Sequence, residues 1–203
     1  FAKYQRGITQ ASVREKLRQQ GELGLPVLGL HISDPPYGKW YDPSYWDCIH
    51  DAEQVIRELT GTTFIMAHGF WLMNSSRGLE TLGRFFDEFP HLNVDLSAVY
   101  QWWNKPEPSY EALREFVLTY RDRILYGTDG NPGHTKPELY EHSYRVLETD
   151  GRELRGFFGG DGDGEALRGL ALPEDVLRSI YYENAARLIP RVRDALVSMG
   201  YSV

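Results

Sequence analysis

Four residues able to bind a metal or move a proton recur at comparable points along this 203-residue chain: His31 in LPVLGLH, His68 in FIMAH, Asp95 in NVD and Asp129 in LYGTD. Each closes a short, mainly apolar run of the kind that forms a buried strand. Imidazole suits zinc and similar divalent ions, and a carboxylate beside it can ligate the ion or take a proton from activated water. One histidine at a strand end is commonly structural. Four such residues at the ends of four successive strands point to a shared site.

The elements that must position them alternate. Residues 9–20 read as a helix capped by Thr9 and stopped at Gly21, and LGLPVLGLH follows as a buried strand. Helices over 44–59, 77–89, 109–121 and 136–148 then alternate with the strands TTFIMAH, HLNVDLS and DRILYGTD. Strands without polar alternation, separated by helices, fit a parallel sheet covered on both faces. The class is α/β, with residues 1–203 as one domain. In such folds the loops after the C-terminal strand edges build the active site. Residues 149–170, rich in Gly and Asp, read as an irregular loop before a helix opening at Pro173, and the helical tail to Ser198 covers the sheet.

Composition narrows the function classes. A net charge of -7 leaves no basic face for nucleic acid or an anionic membrane. No apolar run approaches the roughly 20 residues of a membrane span. The start, FAKYQRGITQ, has neither an initiator Met nor a signal pattern, so the chain is expected to continue upstream, with a cytoplasmic compartment as the first expectation. Cys48 is the sole cysteine; it excludes an internal disulfide and, in a predicted helix without a positioned base, makes a poor nucleophile. The acidic loop fails the calcium-loop spacing, since counting from Asp161 the sixth and twelfth positions hold Ala166 and Leu172. The glycine run at 159–164 follows no strand, so neither a dinucleotide fingerprint nor a P-loop is supported, and no GxSxG elbow occurs. Asn74-Ser75-Ser76 is a glycosylation sequon by pattern alone.

LPVLGLHISDP, FIMAHGF, NVDLS, RILYGTD and YYENAARLI, in this order across residues 22–190, resemble the strand-end motifs of the amidohydrolase-related proteins (amidohydrolase family 2). The resemblance implies a partial (β/α)₈ TIM-barrel type fold, strands five to eight plus the C-terminal helices. It implies His31 as a metal ligand, His68 as a catalytic residue that orients or protonates the reacting group, and Asp129 as a residue that contacts the metal and its activated water. The divalent metal would be zinc, with manganese as the alternative. The family's strand-one His-x-His is missing from this sequence, and strands one to four are expected upstream. The implied activity is metal-dependent hydrolysis of an amide, ester or lactone in a small-molecule substrate. An alternative on the same site is non-oxidative decarboxylation of an aromatic or unsaturated acid. An alternative of another class is a noncatalytic barrel remnant that binds a ligand or partner through open strand edges, which also leave homo-oligomerisation open.

Other residues have plainer readings. Tyr37, Trp40, Trp71, Tyr100, Trp102 and Trp103 follow strand ends and can either line a substrate pocket or pack loops. Asp95 can support the metal site from behind, line the pocket, or hold loop amides. His50, His91 and His142 read as surface or packing residues; His134 follows the Asp129 strand closely enough to reach a substrate. Asn184 reads as the N-cap of the NAARL helix.

Overall fold

A computed structural model describes residues 2–4, 15, 19, 27–32, 43–97, 99, 108–130, 137–151 and 168–203. Its centre is a parallel sheet of β1 (Ala2–Tyr4), β2 (Val27–Ile32), β3 (Thr63–Met66), β4 (Leu92–Asp95) and β5 (Ile124–Leu125). Spatial order follows chain order, and every neighbouring pair is parallel. The described residues thus hold one strand more than the alternation predicted, because the three residues of β1 pair along β2. An α/β class is confirmed.

One face of the central strands is covered throughout: Phe64, Met66, Leu92, Val94 and Ile124, which the register brings to the same face, are buried, while on the opposite face Asn93 and Leu125 are buried but Thr63 and Ile65 are half-buried. The cover includes α1 (Pro43–Glu58), α2 (Ser76–Glu88), α3 (Tyr110–Thr119) and α4 (Pro137–Glu148). In α1 the buried set Tyr45, Ile49, Ala52 and Ile56 recurs every three or four residues, the stripe of a helix seated on a sheet. Leu79, Leu82 and Phe86 repeat the stripe in α2, and Leu113, Phe116 and Val117 in α3. Each Leu, Ile, Val or Phe of these stripes stabilises the fold by about 1.5–3 kcal/mol on burial.

Helix starts follow local chemistry. Ser75 Oγ accepts the Gly78 N–H at 3.0 Å to cap α2, and Ser109 Oγ accepts the Ala112 N–H at 3.2 Å to cap α3. Of the expected first helix, Glu15 and Gln19 are helical and hydrogen-bonded to each other at 2.9 Å; its Thr9 cap lies outside the described residues. Of the 149–170 loop, residues 152–167 lie outside them too. Its ends are joined by the Gly169 N–H donating to Gly151 O at 2.9 Å.

The C-terminal segment departs from the expected reading at Asn184. Helices α5 (Glu174–Arg178) and α6 (Asn184–Leu188) run into each other through a wide turn at Ser179–Glu183, and α7 (Pro190–Ser198) follows. Asn184 already has helical backbone angles, so it is no N-cap. Its buried side-chain amide donates to Arg121 O at 2.7 Å and Ile124 O at 2.8 Å, fastening this helix to the start of β5.

Candidate active site

Because all the strands are parallel, their C-terminal ends lie along one edge of the sheet. His31 is the penultimate residue of β2, Asp95 ends β4, and His68 lies two residues past the end of β3. The register pairs Leu30 with Met66, Met66 with Val94, and Asp95 with Leu125. Asp129 stands four residues beyond Leu125 and is exposed. The expected strand ends at His68 and Asp129 are therefore corrected: both residues sit on the loops that leave their strands.

The segment that carries His68 is unusual. Within the turn Ala67–Asn74, His68, Gly69, Phe70 and Trp71 all have left-handed angles, with φ between 51° and 65°. That conformation costs roughly 1–2 kcal/mol for each non-glycine residue, so surrounding contacts must impose it. They do. The buried Tyr45 hydroxyl of α1 donates to Phe70 O at 2.6 Å, and burial pushes that phenol's pKa up. Gly78 lies flat against the turn, since a Cβ there would stand 1.9 Å from Leu72 O. Phe70, Leu72 and Met73 enter the core.

His68 is held on several sides. Its main-chain N–H donates to Asp95 Oδ1 at 3.1 Å, and its ring Nδ1 lies 2.6 Å from Ser97 O. Its ring stacks on the Trp71 indole, with centroids 4.8 Å apart and planes 14° from parallel. The Ser97 N–H donates to the same Asp95 Oδ1 at 3.0 Å, and the Ser97 hydroxyl also donates to it. The β5 loop closes over this cluster, since a Cβ on Gly127 would come within 3.0 Å of Ser97 Cβ. Ser97 escaped the sequence reading because it acts largely through main-chain groups, which side-chain chemistry does not advertise. Tyr45 escaped it because it lies on a helix 25 residues from its partner.

A family model described as amidohydrolase matches residues 13–191. The chain belongs to the amidohydrolase family. No curated protein and no solved structure gives a significant match. The family is one of enzymes of hydrolase and decarboxylase type whose members typically use divalent metals.

In this amidohydrolase the remaining candidates separate clearly. Trp71 packs on His68 and is buried, whereas Trp102, Trp103, Tyr37, Trp40, Tyr100 and His134 lie outside the described residues. His91 Nε2 meets Ile56 O at 3.0 Å and its ring packs on Phe64, a packing role; His50 is exposed on α1. Burial, then the charge of Arg145, lowers the pKa of His142 on α4. Asn74 is buried, so the sequon cannot act as an acceptor in the folded amidohydrolase. No helix among the described residues is long and apolar enough to cross a membrane.

By residue type alone, His31 and Asp129 suit a divalent ion. Asp95 Oδ1 already accepts three hydrogen bonds, whereas Asp129 is exposed. Histidine and aspartate are ligand types that zinc and manganese accept. Among the described residues no three His, Cys, Asp or Glu side chains cluster closely enough to hold an ion together.

Proposed function

We propose that this amidohydrolase is a metal-dependent hydrolase of an amide, ester or lactone bond in a small molecule. His31 and Asp129 are its metal ligands, Asp129 its base, and His68 its acid. The observation that carries the proposal is the alignment of His31, His68, Asp95 and the Asp129 loop along one edge of a parallel sheet, within a chain of this enzyme family.

His31 and Asp129 would hold the divalent cation, which when bound would supply Lewis-acid charge that lowers the pKa of water toward ~7. Asp129, exposed on the chain that leaves β5, takes the proton from the attacking water. His68, fixed by Ser97 and Trp71, donates a proton to the leaving oxygen or nitrogen, or a hydrogen bond to the carbonyl oxygen as charge develops there. Trp71 keeps one ring face of His68 covered, so a substrate approaches the edge or the opposite face.

The proposal is tested by incubating the metal-supplemented protein with a panel of lactones, esters, amides and aromatic acids, and identifying the products. Carboxylic acid release from one of the first three classes, reduced about 10²–10⁴-fold in His68→Gln, is expected. Carbon dioxide release from the aromatic acids instead would assign the site to decarboxylation. Ligand or partner binding with no turnover in the metal-loaded protein would make it a noncatalytic remnant.

A further inference from the structure

We propose that Asp95 is a positioning residue that sets the tautomer of His68, keeping the proton of the neutral ring on Nδ1 and its lone pair on Nε2. The proposal rests on the reading of His68 as the acid of a hydrolase, and deepens it.

A backbone carbonyl can only accept a hydrogen bond. The 2.6 Å contact between His68 Nδ1 and Ser97 O therefore requires the proton on Nδ1. In the neutral ring Nε2 then holds the lone pair, and in the charged ring Nε2 holds the proton that can be given away. The tautomer thus depends on where Ser97 O points, and that depends on Asp95. Asp95 Oδ1 accepts from the Ser97 N–H, the Ser97 hydroxyl and the His68 N–H. One oxygen ties the main chain of the donor residue to the main chain of the acceptor residue, across β3 and β4, so the pair cannot slide apart. The arrangement follows from position: Asp95 ends β4, the Ser97 amide lies two residues on, and the register places His68 beside the β4 end. A carboxylate suits this place because a negative oxygen accepts several N–H and O–H groups more strongly than a neutral one.

The second contact on the ring reinforces the first. Stacking on Trp71 fixes the plane of the imidazole, so that Nδ1 and Nε2 exchange places only if the ring breaks the stack and turns over. Nδ1 also lies 3.3 Å from Ser97 Oγ, but that hydroxyl is already directed at Asp95, which leaves Nδ1 as the donor in this pair as well.

The test is ¹⁵N NMR of histidine-labelled protein at about pH 8.5, where an ordinary imidazole is neutral, with the His68 signals assigned by their loss in His68→Gln. Wild type is expected to show a pyrrole-like Nδ1 and a pyridine-like Nε2. Asp95→Ala is expected to mix the tautomers and, in turnover, to lower kcat about 10–100-fold with little change in KM. Asp95→Asn keeps an acceptor oxygen and is expected to fall between the two; it carries the test if Asp95→Ala does not fold. Ser97→Ala retains the main-chain acceptor and is expected to keep the wild-type tautomer. A pyridine-like Nδ1 in wild type, or an unmixed tautomer in folded Asp95→Ala and Asp95→Asn, would overturn the proposal. A tautomer that responds as expected in a protein that hydrolyses nothing would leave the positioning role standing and remove the hydrolase reading alone.

Discussion

The His68 amide and the Asp95 carboxylate meet at 3.1 Å across two neighbouring strands, with the amide in a left-handed turn that no sequence periodicity encodes. The turn therefore depends on tertiary contacts made by residues distant in sequence, and those contacts should be separable by mutation.

Tyr45→Phe removes the hydroxyl that holds Phe70 O from α1 and leaves a buried carbonyl without its donor. The expected cost is about 1–3 kcal/mol in denaturant unfolding, with m unchanged. Turnover should fall as well, because Phe70 lies between His68 and Trp71. Full stability in Tyr45→Phe would mean that the turn is held by other contacts.

Gly78→Ala should be far more damaging, since its Cβ would overlap a backbone carbonyl that cannot rotate away. A loss exceeding about 4 kcal/mol is expected, against no more than about 0.5 kcal/mol for Gly61→Ala, where the added methyl meets open space. Thermal melting of the two variants side by side reads the difference.

The helices were legible in the sequence because their apolar stripes follow the 3.6-residue period that burial demands: Tyr45, Ile49, Ala52 and Ile56 are both the pattern and the packed face. The strand end at Asp95, and that of β2 to within one residue of His31, were legible for the matching reason, that apolar runs stop where a parallel sheet opens to its loops. Three features were not legible. β1 is three residues long, too short for any period, and is defined by pairing with β2. Ser97 serves His68 mainly through its carbonyl, a group every residue has. Asn184 has the residue type of a helix cap, but its amide lies against two carbonyls at the start of β5, a use that only the fold reveals.

A pH-dependent contribution comes from the α1–α2 surface. Glu53 accepts from Arg84 at 2.7 Å and Arg57 at 3.0 Å, and Glu88 completes the ring of charges. Hydrogen bonding from Arg84, foremost, lowers the Glu53 pKa below its ordinary value. A depressed folded pKa means that the stabilisation is present above the unfolded value of about 4.3 and is lost as pH falls through the folded one. Glu53→Gln should cost about 0.5–1 kcal/mol at pH 7, because the arginines are solvated and the pairs screened. That difference should vanish in acid and shrink at high salt. An equal difference at pH 7 and in acid would contradict it.

Metal-dependent hydrolysis with Asp129 as ligand and base stands or falls on one rate measurement. Asp129 has φ 57°, a conformation that Asn adopts readily, so Asp129→Asn removes the charge while sparing the loop. The measurement is hydrolysis by chelator-treated protein as zinc or manganese is restored, for wild type and Asp129→Asn. Recovery of turnover in wild type, with a rate about 10²–10⁴-fold lower in Asp129→Asn at saturating metal, is predicted. Hydrolysis that survives chelation, or that recovers equally in both proteins, would remove Asp129 and the metal from the reaction.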